Sequence, residues 1–276
     1  MTTVSVPPPA ERRGNALSDI WVVARRALLH MRRQPEALAD VTLQPIMFVL
    51  LFAYVFGGAI QVADGGYREF LMGGIFAQTI TFGVFGVAIS LAYDRTNGAI
   101  DRFRSLPMAR SAVLGGQAVA NLVRSMLPIV LMSLCGLIVG WRINDGVVEA
   151  AGGYGLMIAW SFAMMWIGVL MGALLPSPEA VQGVAFTAIF PITFVASTFV
   201  PVATLPGPLQ TVAEWNPVTS LTESLRRLFG NPTGDLGADP PWPIDHPELY
   251  TLGWTVAIVA ICAPLAIRAY RRTFSD

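Results

Sequence analysis

Six long apolar stretches recur along the chain, at about 43–60, 70–93, 121–140, 153–175, 178–200 and 249–267. Each approaches the roughly 20 residues a helix needs to cross about 30 Å of hydrocarbon. In lipid the backbone must satisfy its own hydrogen bonds, so all six are predicted to be transmembrane helices. The pattern changes over residues 17–34. Leu17, Ile20, Trp21, Ala24, Leu28 and Met31 share one helical face, and Arg25, Arg26, His30, Arg32 and Arg33 lie mostly off it. This predicts an amphipathic helix on a membrane surface, ended by Pro35. Residues 1–16 carry a triple proline and read as a disordered tail, without the apolar core and cleavage site of a signal peptide.

The polar connections are unequal. In the segment 94–110, Asn97-Gly98 marks a turn, and Ile100, Phe103 and Leu106 then share a face flanked by Arg102 and Arg104 before Pro107. The link between the fourth and fifth stretches is very short. There Ser177, Pro178 and Glu179 form a helix start: a cap, a first-turn proline and a carboxylate on the helix dipole. The longest connection is 201–248. Within it Asn216-Pro217 starts a helix, Val218, Leu221, Leu225, Leu228 and Phe229 repeat at helical spacing, and Gly230 stops it. At about 13 residues, or roughly 20 Å, that helix is too short to span. It carries Glu223, Arg226 and Arg227 and is predicted to be an amphipathic helix at the outer membrane face or re-entering it slightly.

Composition supports the membrane reading. Hydrophobic residues make up 54% and charged residues 13% of the 276, against about 25% charged in an average soluble domain. Net charge is zero, which gives no reason to expect a nucleic-acid partner. All 18 basic residues are arginine, so no lysine is present to form a P-loop or a Schiff base. Cys135 and Cys262 lie in apolar runs, and His30 and His246 lack ligand spacing, so no disulfide framework or metal site is expected. Arginine placement sets the orientation. With a cytoplasmic N-terminus, 14 arginines fall inside, counting Arg124 as snorkelling, and only Arg68, Arg142, Arg226 and Arg227 fall outside. Both termini are therefore expected in the cytoplasm.

Two stretches give the chain a family resemblance. One is Asp94-Arg95, Gly98, Arg102, Arg104, Pro107 and Leu114-Gly115-Gly116. The other, more specific, is Phe199-Val200-Pro201, Leu205-Pro206, Leu209, Asn216-Pro217-Val218-Thr219, Glu223 and Arg226. With the six-helix layout, the chain resembles the membrane subunit of ABC-2 type transporters, in particular the daunorubicin-resistance type permeases of bacteria. The resemblance implies an all-α integral membrane fold like that of type V ABC exporters. It has an N-terminal connecting helix, six spans, and short outer helices before the sixth. It implies residence in the bacterial plasma membrane and a dimer with a second copy or a paralogous permease. It also implies docking to two copies of a cytosolic ATPase that holds the ATP and Mg, this chain itself having no cofactor. Coupling to that ATPase would fall on Gly98, Ile100, Arg102, Phe103, Arg104 and Pro107. Asn216, Pro217, Glu223 and Arg226 would form the family's outer-segment motif. The implied activity is export of a hydrophobic or amphipathic molecule such as a drug, secondary metabolite or lipid.

The candidate substrate path is aromatic. Phe186, Phe190 and Phe194 recur every four residues near Thr187 and Thr193, with Pro191 between them. Gln78, Thr81, Phe82 and Phe85 share a side of the second stretch. A wall of this kind suits a large amphipathic ligand, and the same rings also fit ordinary lipid-facing or helix-packing aromatics. Gly136/Gly140 and Gly168/Gly172 permit close helix approach and are expected to serve packing within the chain. Two other functions compete. An ATP-independent channel or secondary carrier is disfavoured by the scarcity of charges deep in the spans and by the lack of visible inverted repeats. A membrane enzyme would need convergent polar groups, and the acidic set Asp235, Asp239, Asp245 and Glu248 has no matched partners.

Overall fold

The computed structural model describes residues 43, 45–57, 66–96, 110–233 and 240–273. The expected tail and connecting helix, and the coupling residues Gly98, Ile100, Arg102, Phe103, Arg104 and Pro107, lie outside them. Among the described residues all regular structure is helical. Helix α1 starts at Pro45 and winds as a π-helix over Leu51–Phe56. Then come α2 (Tyr67–Thr96), α3 (Arg110–Val139), α4 (Val147–Leu174) and α5 (Pro178–Phe194). A 3-10 turn, Val202–Thr204, leads to α6 (Gly207–Glu214), α7 (Pro217–Leu228), α8 (Trp242–Asp245) and α9 (Pro247–Thr273).

Among the described residues four helices are long and apolar enough to cross a membrane: α2, α4, residues Leu122–Val139 of α3, and Pro247–Ala269 of α9. The fifth predicted span is shorter than expected. The fifth was expected to continue to Val200 but ends at Phe194. Pro191 sits in its last turn, and Asn216 Nδ2 donates to the carbonyls of Ile192 at 2.6 Å and Val195 at 3.3 Å. Captured from the side, those carbonyls do not propagate the helix, and Ala196–Phe199 becomes a buried non-helical strap. The third and fourth helices start earlier than expected, at Arg110 and Val147, while two expected helix ends hold. Ser177 Oγ accepts from Ala180 N at 3.2 Å, and Gly230 adopts φ +64°, the left-handed value that glycine accepts at a helix end.

Helix α2 is the axis of the bundle. It packs most extensively on α4 and also touches α1, α3, α5 and α7. The two helices run in the same direction, since Glu69 and Asn144 meet at one end and Arg95 reaches Gly172 at the other. Close approach comes from α4's small residues: a methyl on Gly168 would sit 2.9 Å from Val84 O, and one on Gly172 2.6 Å from Ala88 O. These glycines serve packing within the chain, as expected. Of the other pair, Gly136 abuts Met72 and Trp141, while Gly140 faces open space and turns the chain at φ +107°. The core at one end gathers Phe70, Phe76, Trp141, Leu221, Leu225 and Phe229. That end, closed by α6, α7 and α8, is the capped end. The opposite end, which carries the α2–α3 and α4–α5 connections, is the loop end. Helix α9 lies against α4 and α7 and leaves its other face open.

Candidate functional site

Three features stand out, one along α5 and one at each end. Along α5, Val181, Ala185, Ile189 and Thr193 form the buried stripe toward α2, a repeat of four residues. The phenylalanines fall one position later and so flank that stripe. Phe186 and Phe190 stack at 4.8 Å, and Phe190 and Phe194 at 4.0 Å. Phe85 meets Phe186 edge-on at 6.4 Å and Phe82 at 5.4 Å. Beyond Phe194 the chain of rings goes on through Phe199 (5.3 Å) to Phe52 (4.2 Å) and Phe48. Eight rings from α2, α5, the strap and α1 thus form one continuous aromatic column. Five of them were named from sequence. Phe199 was read only as part of the family motif, and Phe48 and Phe52 were missed, although their four-residue spacing was legible.

The polar neighbours behave differently from the rings. Gln78 is 3% exposed, so it lies inside the bundle rather than on an open wall, and its Nε2 has no hydrogen-bond partner. Thr81 faces α4, where Trp160 Nε1 donates to its hydroxyl at 3.0 Å. Phe186 is 54% exposed, the most open ring of α5. A surface of stacked and edge-on rings binds planar apolar molecules through ring faces and edges, without needing charge.

At the capped end, α7 overturns its sequence reading. It was expected to be an amphipathic helix at the membrane face or re-entering it slightly; instead Val218 through Arg226 is buried all round. Arg226 is fully buried and pairs with Glu223 Oε1 at 2.6 Å. Its Nε donates to Phe70 O at 2.9 Å and its Nη2 to Ser197 O at 2.7 Å. The guanidinium lies 3.4 Å from the Phe70 ring centroid, a cation–π contact. Ser197 Oγ donates to Glu223 Oε1 at 2.7 Å, and Thr219 Oγ1 accepts from Ser197 N at 3.2 Å. Glu223 Oε2 has no partner. Burial pushes the Glu223 carboxyl up and the Arg226 guanidinium down, and their mutual attraction opposes both shifts. The charges turn inward because α5 ends early: the strap's carbonyls lack helical partners, and α7's polar side supplies donors for them. Asn216 serves both sides, capping α7 through Val218 N at 2.9 Å while holding the end of α5. Glycine lets α2 come this close. A methyl on Gly73 would stand 2.7 Å from Arg226 Cγ, and one on Gly74 would overlap the Thr198 carbonyl. Pro217 fills the first turn of α7, as expected.

At the loop end, Arg95 Nη1 donates to three carbonyls: Gly172 at 3.1 Å, Ala173 at 2.8 Å and Leu175 at 3.0 Å. These lie in the last turn of α4 and just beyond it, where carbonyls lack intrahelical partners and carry the negative end of the dipole. Only Pro176 and Ser177 then separate Leu175 from α5. Sequence alone had grouped Arg95 with the loop that follows it; its grip on α4 was not anticipated. Arg124 lies along Gly86 of α2. Among the described residues no group of three His, Cys, Asp or Glu is placed to hold a metal ion.

The ABC-2 type transporter family matches residues 18–229, and the chain belongs to it. It is 29% identical over 257 residues to the daunorubicin resistance ABC transporter permease protein DrrB1 of Streptomyces coeruleorubidus, covering 92% of this chain and 85% of that one. It is 25% identical over 257 residues to the probable doxorubicin resistance ABC transporter permease protein DrrC of Mycobacterium tuberculosis, covering 90% and 86%. A putative transport permease, ycf38, of Cyanophora paradoxa is 24% identical over 225 residues, covering 78% and 75%.

Proposed function

We propose that this ABC-2 family protein is the permease subunit of an ATP-driven exporter for a hydrophobic, ring-bearing molecule, with the aromatic column as its route. The column carries the reading. Eight rings in unbroken contact offer successive apolar faces along a bundle whose family members include resistance permeases. The chain would cross the bacterial plasma membrane six times with both termini cytoplasmic. The capped end would then face outward and the loop end the cytoplasm. Two permeases would meet two cytosolic ATPase chains, which hold the ATP and Mg.

Arg95 supports a path for the force. The segment containing Arg102, Phe103 and Arg104 follows α2 directly and would contact the ATPase. A push there acts on the end of α2. Through Arg95 it reaches the end of α4, and through Pro176-Ser177 the start of α5. Helix α5 carries three rings of the column. Closure of the ATPases would thus re-pack the column between two arrangements, as alternating access requires.

The test is co-purification in gentle detergent with the candidate ATPase co-expressed, followed by ATP-dependent uptake of an anthracycline into inside-out vesicles. Two copies of each chain and ATP-dependent uptake support the proposal. A homo-oligomer without ATPase would sink it in favour of a channel or secondary carrier. An intact complex that hydrolyses ATP but moves no ring-bearing compound would remove the aromatic route and leave the permease role standing.

A further inference from the structure

A second aromatic group at the capped end belongs to neither the column nor the polar layer. Tyr250 of α9 is its centre. Its ring lies 6.5 Å from Trp215, 6.0 Å from Trp242 and 6.3 Å from Trp254, each contact edge-on. Its hydroxyl donates to Trp215 O at 3.0 Å, tying α9 to the end of α6. Yet Trp215, Trp242 and Trp254 are 54%, 52% and 40% exposed. Leu209 and Val212 of α6 are also exposed, spaced with Trp215 at i, i+3 and i+6 on one face. A contiguous apolar patch of this kind marks a surface that something covers.

The two sides of the patch identify the cover. Away from the bundle stand Asp245 and His246, an exposed pair 3.1 Å apart. Toward the bundle, the large exposed side chains of α9 are Leu252, Val256, Ile261 and Leu265, all apolar. The next exposed charge is Arg268. From Tyr250 to Arg268 the helix rises about 27 Å, close to the roughly 30 Å of a bilayer's hydrocarbon core. Tryptophan and tyrosine concentrate where the hydrocarbon meets the headgroups, because their rings are apolar and their edges polar.

We infer that Trp215, Trp242, Tyr250 and Trp254, with Leu209 and Val212, form a phospholipid-binding rim. It seats the capped end at the headgroup boundary of its leaflet, with α6 lying in the interface. The occupant is lipid rather than a second copy because the patch is continuous with the open apolar face of α9. That face is turned away from α4 and α7, the helices on which α9 packs. The rim also sets a depth. Ser224 of α7 sits 3.5 Å from Thr251, the residue after Tyr250, so the buried Glu223–Arg226 layer lies near headgroup level. None of this depends on what drives transport.

The experiment uses the full-length chain in phosphatidylcholine vesicles, with bromines placed either near the top of the acyl chains or near the bilayer centre. Trp215→Phe, Trp242→Phe and Trp254→Phe are each compared with wild type. The emission each variant removes is expected to be quenched strongly by shallow bromines, less by deep ones, and little by aqueous iodide. A component quenched by iodide but not by bromolipid would overturn the inference, because the rim would then face water. Insensitivity to both, with Val212→Cys cross-linking between copies, would overturn it in favour of a protein partner. Should a tryptophan variant fail to fold, a polarity-sensitive dye on Val212→Cys gives the same reading with the rings intact. A blue-shifted, bromine-quenched dye supports the rim, and a water-like spectrum sinks it.

Discussion

Two arginines sit at opposite ends of the bundle and both grip carbonyls, but in different company. Arg95 at the loop end is half-buried and spends one nitrogen on three carbonyls of the α4 terminus. Arg226 at the capped end is fully buried, and besides the carbonyls of Phe70 and Ser197 it holds the Glu223 carboxylate. The difference follows from water. A half-exposed guanidinium keeps part of its hydration, and the helix dipole supplies the rest of its stabilisation. A guanidinium with no solvent contact needs a counter-charge and a full set of acceptors. The first arrangement can be made and broken at modest cost, which suits a joint. The second is costly to disturb and suits a fixed anchor, around which α2, the strap and α7 are assembled.

Breaking the anchor has the largest expected effect. Arg226→Met strands Glu223 in the protein and should destabilise by about 3–5 kcal/mol, read as a large fall in the thermal midpoint in detergent. Adding Glu223→Gln should recover a good part of the loss, since no buried charge then remains. If Arg226→Met alone is harmless, the anchor is not one.

Gly74→Ala tests the same end without touching charge. Its methyl would overlap the Thr198 carbonyl, and overpacking of this kind costs about 1–3 kcal/mol. Gly253→Ala, inside α9 with open space around it, should cost nothing in the same assay and gain up to about 1 kcal/mol from helix propensity.

The joint should respond differently. Arg95→Met is expected to cost about 1–2 kcal/mol, the scale of a favourable charge at a helix C-terminus. Its effect on transport should exceed its effect on folding: ATPase binding and basal hydrolysis persist while ATP-dependent uptake falls. Uptake that follows the amount of folded protein would reduce Arg95 to a structural cap.

Phe186→Ala should destabilise least, by about 1 kcal/mol, because the half-open ring loses mainly its contacts with Phe190 and Phe85. It should still lower uptake of planar aromatic substrates relative to flexible apolar ones. Equal loss for both would show that the column packs the helix rather than reads the cargo.

The membrane class, the helical content and the positions of most elements were legible in the sequence, because they rest on local rules. Apolar length, the Ser177 and Asn216 caps and the Gly230 stop each act within a few residues, and each appears where expected. The four-residue spacing of Phe186, Phe190 and Phe194 also declared itself, since one helical face is a local property. Tertiary structure decided the rest. That α5 stops at Phe194 depends on an asparagine 22 residues later in the chain capturing its carbonyls. That Glu223 and Arg226 point inward depends on the acceptors this early ending leaves behind. Periodicity ranks a charged helix face as exposed because water is the usual partner for charge. Here the strap and the first turns of α2 take water's place, and such a partner, remote in sequence, cannot be read from the spacing of residues along one helix.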